Sequence, residues 1–297
     1  MRNRPEVLAI GSVLWDIIGR SPVPMQAGAD MPGRIKRLPG GVAMNIAMAL
    51  NRFGIQTAVL SALGQDAEGK DLLHRARALG LNMDYVYLSD DLPTDRYMAI
   101  ETADGLIAAI ADAHSLEAAG SKILTPLADG RLADAGNPWA GMVALDGNLT
   151  RDMLAEIAQG AMFDRADLRI APASPGKAAR LQAFIGHRHA TLYLNLEEAQ
   201  LLSGHAAAEA PGAAAALIDQ GCLRVLVTDG ARKAAYATPN AVIAEAPPKV
   251  AVRRITGAGD MFMAAHMAAE LRGQDGPAAL TSALKAAASY VASEAAI

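Results

Sequence analysis

Ile255–His266 (ITGAGDMFMAAH) is the stretch that decides the fold of this chain. The apolar run after Asp260, rich in alanine and methionine, has no proline or glycine before Gly273, which predicts a buried helix. Gly257 and Gly259 therefore lie at the start of that helix. Free backbone N–H groups and the positive end of the helix dipole favour an anion there, and the missing Cβ lets the backbone approach it closely.

Asp260 is unexpected in such a place, because a carboxylate repels an anionic ligand. Its presence is explained if it accepts the proton of a hydroxyl group that attacks a phosphate, which is the usual role of a carboxylate in phosphoryl transfer. The alternative is an ordinary acidic residue at a helix N-terminus. The glycines and the acid alone leave both interpretations open, since a short Gly-x-Gly motif is a weak signal.

Two segments at opposite ends of the chain carry a resemblance to a known family. Thr256–Asp260 (TGAGD) resembles the C-terminal signature of the ribokinase-like (PfkB) carbohydrate kinases, and Gly40–Ala47 (GGVAMNIA) resembles their N-terminal signature. The resemblance extends from about Glu6 to about Ala292. It implies an α/β protein with a three-layer α/β/α ribokinase-like fold and a small β-sheet lid. We expect one domain over residues 1–297, with lid strands at about 12–20, 31–38 and 94–112.

Composition excludes several classes of protein. The chain has 297 residues, of which 52% are hydrophobic and 20% are charged, as in globular proteins with a substantial core. Its net charge of −4 gives no basic footprint for a nucleic acid polymer. No uncharged apolar run is long enough to span a membrane, and the N-terminus does not resemble a signal peptide. A single cysteine, Cys222, fits the reducing cytoplasm.

Short apolar runs alternate with helical patterns from residue 116 onward, which predicts a parallel sheet. Polar residues lie at or just after the ends of three apolar runs. They are Asn148 after 142–145, Asn195 after 191–194, and Thr228 within 224–230. The carboxyl ends of parallel strands form the ligand-binding edge of an α/β sheet.

The family resemblance implies the residues that bind the acceptor. Asp16 and Asn45 would contact substrate hydroxyl groups, and Gly40 and Gly41 would bind the substrate with them. Asp16 could instead face solvent from an ordinary strand. Asn45 could instead cap the Gly-Gly turn, and both of its roles are compatible.

The same resemblance assigns the phosphate side of the site. Asp260 would be the base, the amides of Gly257, Ala258 and Gly259 would stabilise the transferred phosphoryl group, and Thr256, Thr228 and Gly230 would contact the nucleotide. Asn195-x-x-Glu198 would hold Mg²⁺ through water, although this spacing also fits a helix capping box. Lys233 stands where the family commonly has a second glycine. ATP and Mg²⁺ are the implied cofactors, together with a monovalent cation such as K⁺ in many members.

Three strings indicate the acceptor, because they resemble those of the pseudouridine kinases in this family. They are Pro32–Lys36, Gly105–Asp112 and Pro172–Lys177. Asp112, Asn148 and Lys177 become candidate substrate contacts, and the 5′-hydroxyl of pseudouridine becomes the expected acceptor. Ala171 and Ala113 depart from the pattern, where Asp and Met are usual.

Other functions remain open from the sequence. Ribose, 2-keto-3-deoxygluconate and fructose-phosphate kinases share the signatures, and Arg165, Arg169 or Arg180 could bind a second phosphate. The chain could also be an inactive nucleoside- or sugar-binding regulator, since fold does not fix function. A dinucleotide-binding dehydrogenase would need Gly-x-Gly-x-x-Gly after the first strand, which is absent. A homodimer through the lid is expected from the family.

Overall fold

The computed structural model describes residues 4–26, 28–102 and 105–293. Its strands are β1 (Val7–Ile10), β2 (Leu14–Arg20), β3 (Arg34–Gly40), β4 (Thr57–Leu60), β5 (Ala62–Gly64), β6 (Tyr87–Ser89), β7 (Arg96–Thr102), β8 (Gly105–Asp112), β9 (Met142–Asp146), β10 (Asp167–Ala171), β11 (Ala190–Asn195), β12 (Val225–Thr228), β13 (Ala234–Thr238) and β14 (Ala241–Glu245). Its α-helices are α1 (Val42–Arg52), α2 (Ala67–Ala78), α3 (His114–Ala119), α4 (Arg151–Gln159), α5 (Leu196–Ser203), α6 (Ala210–Asp219), α7 (Ala258–Leu271) and α8 (Gly276–Ala292). Short 3₁₀ helices occupy Gly120–Leu127, Ala161–Phe163 and Pro175–Phe184.

The main sheet has eight strands in the order β14-β13-β12-β11-β10-β9-β1-β4. The six strands from β12 to β4 are parallel, and β13 and β14 extend the edge as antiparallel strands. The predicted α/β class with a large, mostly parallel sheet is thereby confirmed. Because the strands are parallel, their carboxyl ends meet along one edge, as the sequence predicted for Asn148, Asn195 and Thr228.

Helices cover both faces of this sheet. In β9, Met142 and Ala144 pack with α1, α7 and α8, whereas Val143 and Leu145 pack in the cluster that contains α4, α5 and α6. This alternation is the two-residue period of a strand buried on both sides. The result is a three-layer α/β/α arrangement whose core lies on either side of the sheet.

A second sheet of four strands, in the order β3-β2-β7-β8, forms the region predicted as a lid. Asp16 pairs with Leu38 on one side and Tyr97 on the other. β3 ends at Gly40, immediately before α1, so the small sheet leads directly into the main domain. The sequence Ala103-Asp104-Gly105 predicts a hairpin turn between β7 and β8. Ala103 and Asp104 of this turn lie outside the described residues.

Two further expectations concern membranes and the cysteine. Among the described residues, none of the helices combines the length and apolar character needed to cross a bilayer. Cys222 is buried at 2% exposure, and burial raises the pKa of its thiol to about 11. A buried neutral thiol is chemically inert.

Candidate active site

Asp260 lies in the first turn of α7, and Asn45 reaches it from α1. The Asn45 amide donates a hydrogen bond to Asp260 Oδ2 over 2.8 Å. Burial raises the pKa of Asp260 to about 7, and the charges of Asp146, Asp16 and Glu198 act in the same direction, against the Asn45 hydrogen bond. A carboxylate with a pKa near neutrality is suited to accept a proton during catalysis.

Residues 255–259 form the turn that leads into the start of α7, and we call them the phosphoryl turn. This turn has the geometry of an anion site. Gly257 adopts φ 82°, and a Cβ on it would overlap the Tyr290 hydroxyl, so glycine is required. A Cβ on Gly259 would point into open space, which leaves room for a ligand. Within the described residues, the amides of Gly257 and Gly259 donate to no other group.

The amide of Ala258 has a different arrangement from those of the two glycines. The amide of Ala258 donates to the Ile255 carbonyl over 3.0 Å, so its hydrogen bond is used inside the turn. The donors available to a phosphoryl group are therefore the two glycine amides, and Ala258 contributes by closing the turn that aims them.

Asp16 is held on the face of the lid sheet that contains Tyr97. A Cβ on Gly40 would overlap the Asp16 carboxylate, which explains the glycine at the end of β3. Burial raises the pKa of Asp16 to about 7. Gly41 has φ 98° and lies against the Ser12 carbonyl, so this glycine is also needed for close packing. The two glycines predicted to bind substrate thus have a clear role in positioning Asp16 and α1.

Asp146 organises the centre of the site, and the sequence did not single it out as a site residue. It is fully buried at the end of β9. Oδ2 accepts hydrogen bonds from the Ser12 amide (2.7 Å), the Ser12 hydroxyl (2.8 Å) and the Ala43 amide (3.1 Å), and Oδ1 accepts one from the Asn148 amide (2.7 Å). Asp146 therefore caps the start of α1 from a distant part of the chain. The sequence feature that could have identified Asp146 is an acidic residue at the end of a buried strand.

Lys177 and Asn148 form a polar chain with Ser12. The Lys177 ammonium donates to Asn148 Oδ1, and the Asn148 side-chain amide donates to the Ser12 hydroxyl over 3.0 Å. Burial lowers the pKa of Lys177. Ala173, in the loop before Lys177, has a positive φ of 70°, a costly conformation for a residue other than glycine that is typical of functional sites.

Asp112 is the predicted site residue that the structure does not bring into this group. It is exposed at the end of β8 and accepts a hydrogen bond from His114 Nδ1 over 2.8 Å. Its neighbour Ala111 pairs with Tyr97, so Ala111 rather than Asp112 shares the face of Asp16.

Asn195 and Glu198 form the capping box that the sequence left open. Asn195 Oδ1 accepts from the Glu198 amide, and Glu198 Oε2 accepts from the Asn195 amide, each over 2.8 Å. The cap leaves Oε1 of Glu198 unused. Burial raises the pKa of Glu198. In the described part of the chain, no cluster of three or more His, Cys, Asp or Glu residues could hold a metal ion by itself.

Thr228 and Gly230 lie at the end of β12, next to β11 and Asn195. The Thr228 hydroxyl donates to the Leu194 carbonyl over 3.4 Å, and Gly230 is exposed with a positive φ of 57°. Lys233 is exposed just beyond them. These residues lie at the carboxyl edge of the sheet, as the nucleotide assignment requires.

Glu101 connects the lid sheet to the phosphoryl turn. Its Oε1 accepts a hydrogen bond from the Thr256 hydroxyl over 3.5 Å, and its Oε2 forms a 2.5 Å ion pair with Arg20. This contact could not be predicted from the sequence, because Glu101 is one charged residue in an alternating strand. The lid and the turn are thus in direct contact.

Comparisons with known proteins identify the family of this chain. The family model for pfkB family carbohydrate kinases matches residues 4–297. Pseudouridine kinase from Escherichia coli (strain K12) is 29% identical over 269 residues, which cover 89% of this chain and 83% of that protein. A carbohydrate kinase from Agrobacterium tumefaciens superposes with a TM-score of 0.79 at 27% identity, covering 97% of this chain and 91% of the other.

Ribokinase from Arabidopsis thaliana, solved with ribose and ATP, superposes with a TM-score of 0.79 at 22% identity, over 99% of this chain and 95% of the other. The ribokinase-like fold predicted from the two signatures is confirmed by these neighbours. The family match covers nearly the whole chain and includes both Gly40–Ala47 and Thr256–Asp260. The chain therefore belongs to the pfkB family of carbohydrate kinases, phosphotransferases with an alcohol group as acceptor.

Proposed function

We propose that the protein transfers the γ-phosphoryl group of ATP to a primary hydroxyl of a nucleoside or sugar, and that the acceptor is the 5′-hydroxyl of pseudouridine. The observation that carries the kinase assignment is the Asp260 carboxylate, held by Asn45 beside the two free glycine amides of the phosphoryl turn. A base next to an anion site is what transfer to a hydroxyl group requires.

The chemistry follows from these positions. The acceptor hydroxyl lies beside Asp260, whose carboxylate takes the proton as the oxygen attacks the phosphorus. The amides of Gly257 and Gly259 stabilise the negative charge on the transferred group, which is where such a site gains most of its rate. Asp16 and Asn45 orient the acceptor. Closure of the lid excludes water, which would otherwise accept the phosphoryl group.

Mg²⁺ fits this site only when phosphate oxygens and water provide most of its ligands. Glu198 Oε1, which the capping box leaves unused, and Asn195 Oδ1, which accepts the Glu198 amide and has a second lone pair, would hold the ion through water, as the resemblance implies. When bound, Mg²⁺ neutralises and orients the phosphates of ATP.

The protein has its single cysteine buried and free, which supports a cytoplasmic location.

The choice of pseudouridine rests on the polar chain of Lys177, Asn148 and Ser12 and on the E. coli relative. A pyrimidine ring offers two carbonyl oxygens, and a partly desolvated ammonium group is a strong donor to such an oxygen. Ribose lacks a base and gains nothing from that donor.

A panel of acceptors tests this assignment. We expect ADP release with Mg-ATP to be fastest with pseudouridine, compared with uridine, adenosine, ribose, fructose 6-phosphate and 2-keto-3-deoxygluconate. Lys177→Ala should raise KM for pseudouridine about tenfold or more, because a charge-assisted hydrogen bond contributes roughly 1.5–3 kcal/mol. The same variant should leave any slow reaction with ribose unchanged.

Other results of the panel have definite meanings. Equal rates with ribose and pseudouridine would remove the substrate assignment and retain the kinase. No ADP release with any acceptor would favour an inactive nucleoside- or sugar-binding regulator on the same fold.

A homodimer through the lid is supported by the outer face of the small sheet. Four large apolar side chains on that face are exposed: Ile35 (79%), Met98 (48%), Ile100 (38%) and Ile110 (69%). The strand registers place Met98 opposite Ile110, and both Ile35 and Ile100 opposite Gly19, on the side away from Asp16. An apolar patch of this kind marks an interaction surface, and a second copy of the same sheet would cover it.

The double variant Met98→Glu with Ile110→Glu should convert the dimer to a monomer, because it places two charges per subunit in the interface. The molar mass in solution, measured by light scattering during size-exclusion chromatography, reports the change. Leu201→Glu, at an exposed apolar position on α5, is the matched control and should leave the mass unchanged. A wild-type protein that stays monomeric at high concentration would contradict the dimer.

A further inference from the structure

Arg254, just before the phosphoryl turn, is fixed against the end of α8. Its Nε donates to the Tyr290 carbonyl over 3.1 Å, and its Nη2 donates to the Ser293 hydroxyl over 3.2 Å. The guanidinium carbon lies 3.6 Å from the centroid of the Tyr290 ring, in a cation–π contact. The last carbonyls of a helix carry partial negative charge, so this end of α8 is a favourable place for a cation.

Tyr290 links this cation to the phosphoryl turn. Its hydroxyl donates to the Thr256 carbonyl over 3.0 Å and occupies the space that a Cβ on Gly257 would need. The amides of Arg253 and Arg254 also donate to the Val291 carbonyl, over 2.8 and 3.3 Å. The segment that enters the turn is therefore bound to α8 on both sides of Arg254.

These contacts do more than pack α8 against the segment that precedes the turn. The left-handed conformation of Gly257 directs the two free amides. The Tyr290 hydroxyl lies next to Gly257, where a Cβ on that residue would be. Catalytic rate is sensitive to such alignment, because a displacement of about 1 Å costs roughly a hundredfold. The guanidinium also places a fixed positive charge near the turn, at the Tyr290 carbonyl, where the negative end of the α8 dipole favours a cation.

We propose that Arg254 and Tyr290 are positioning residues for phosphoryl transfer, and that the guanidinium of Arg254 is a built-in cation that makes the enzyme independent of K⁺. This inference rests on the proposed role of residues 255–260 in phosphoryl transfer. It differs from the expectation drawn from the family resemblance, in which a monovalent cation supports the anion site. Arg254 does not touch the reacting atoms and acts through Tyr290 and the turn.

The test compares Arg254→Ala, Arg254→Lys and Tyr290→Phe with the wild-type protein. We expect Arg254→Ala to lower kcat about a hundredfold and to weaken Mg-ATP binding about tenfold, with KM for the acceptor unchanged. Added guanidinium ion or K⁺ should restore part of the lost rate, and Arg254→Lys should retain part of it. Tyr290→Phe, which removes only the hydrogen bond to Thr256, should lower kcat without loss of the folded state.

The control variant is Arg188→Ala, which removes an exposed arginine near the amino end of β11 and should leave kcat unchanged. Wild-type kcat should be equal in K⁺ and in tetramethylammonium. A wild-type enzyme that needs K⁺, or an Arg254→Ala variant with full kcat, would overturn the inference while the kinase assignment stands. If no acceptor is phosphorylated, the proposed function fails. The inference about Arg254 is then tested by Mg-ATP binding alone, measured by calorimetry. Unchanged affinity in Arg254→Ala overturns it.

Discussion

Asp260→Asn should lower kcat by about 10²–10⁴-fold while Mg-ATP binds nearly as well as before, since general-base catalysis contributes an acceleration of that size. Asparagine has the same shape, and its Oδ1 can still accept the hydrogen bond of Asn45, so the site keeps its form. Steady-state ADP release and calorimetric titration of Mg-ATP separate the two effects. Retained turnover would show that Asp260 is not the base.

The pH dependence provides an independent check on the same residue. Because burial raises the pKa of Asp260 to about 7, the fraction of ionised base grows as the pH rises through 7, and kcat/KM should rise with it. Asp260→Asn should abolish this ascending limb. Asp16 also has a pKa raised to about 7 by burial, and Asp16→Asn is the matched control, which should weaken acceptor binding and keep the limb.

The stability of the folded protein should change with pH in the opposite sense. A carboxyl group whose pKa is raised on folding binds more protons in the folded than in the unfolded state between about pH 4 and pH 7. The free energy of unfolding therefore falls as the pH rises through this window. Urea denaturation should find Asp260→Asn more stable than wild type above pH 7, and this difference should shrink as the pH falls from about 7 to about 4.

Asp146→Ala should reduce the free energy of unfolding by about 3–5 kcal/mol, because it leaves three buried amides without an acceptor. They belong to Ser12, Ala43 and Asn148. The first turn of α1 loses its cap in the same step. Urea denaturation with fluorescence or circular dichroism measures the loss.

Asp134→Ala is the matched control for Asp146. Asp134 also accepts hydrogen bonds from two backbone amides, those of Gly136 and Asn137, but it does so in an exposed turn where water replaces the lost acceptor. It should cost less than about 1 kcal/mol. Similar losses in the two variants would mean that the burial of Asp146 does not determine the loss in free energy of unfolding.

The contrast between Asp260 and Asp146 shows what local sequence could and could not predict. Asp260 and the phosphoryl turn were predictable because one short segment contains the glycines, the acid and the helix that follows. The role of Asp146 depends on donors 103 and 134 residues away, which meet it only when β1, α1 and β9 lie side by side. The order of those strands cannot be read from periodicity.

The Gly40-Gly41 pair illustrates an intermediate case. The sequence identified both glycines as part of the site and assigned them to substrate. The structure supplies a different physical reason, since a Cβ at Gly40 would displace Asp16 and one at Gly41 would meet the Ser12 carbonyl. The Asn195–Glu198 pair was undecided for a similar reason: one spacing serves both a capping box and a ligand site, and only the observed hydrogen bonds establish the cap.

The separation between lid and core has a consequence for how this protein could diversify. Asp16 lies on a strand of the small sheet, whereas Asp260 and the two glycine amides lie at the start of α7, which packs on the main sheet. Substitutions on β2, β7 or β8 could therefore alter which alcohol is accepted without disturbing the machinery that handles ATP. Glu101 sets a limit to this freedom, because its contact with Thr256 crosses between the two parts. A laboratory search for new acceptors would do best to randomise the inner lid face and hold Glu101 constant.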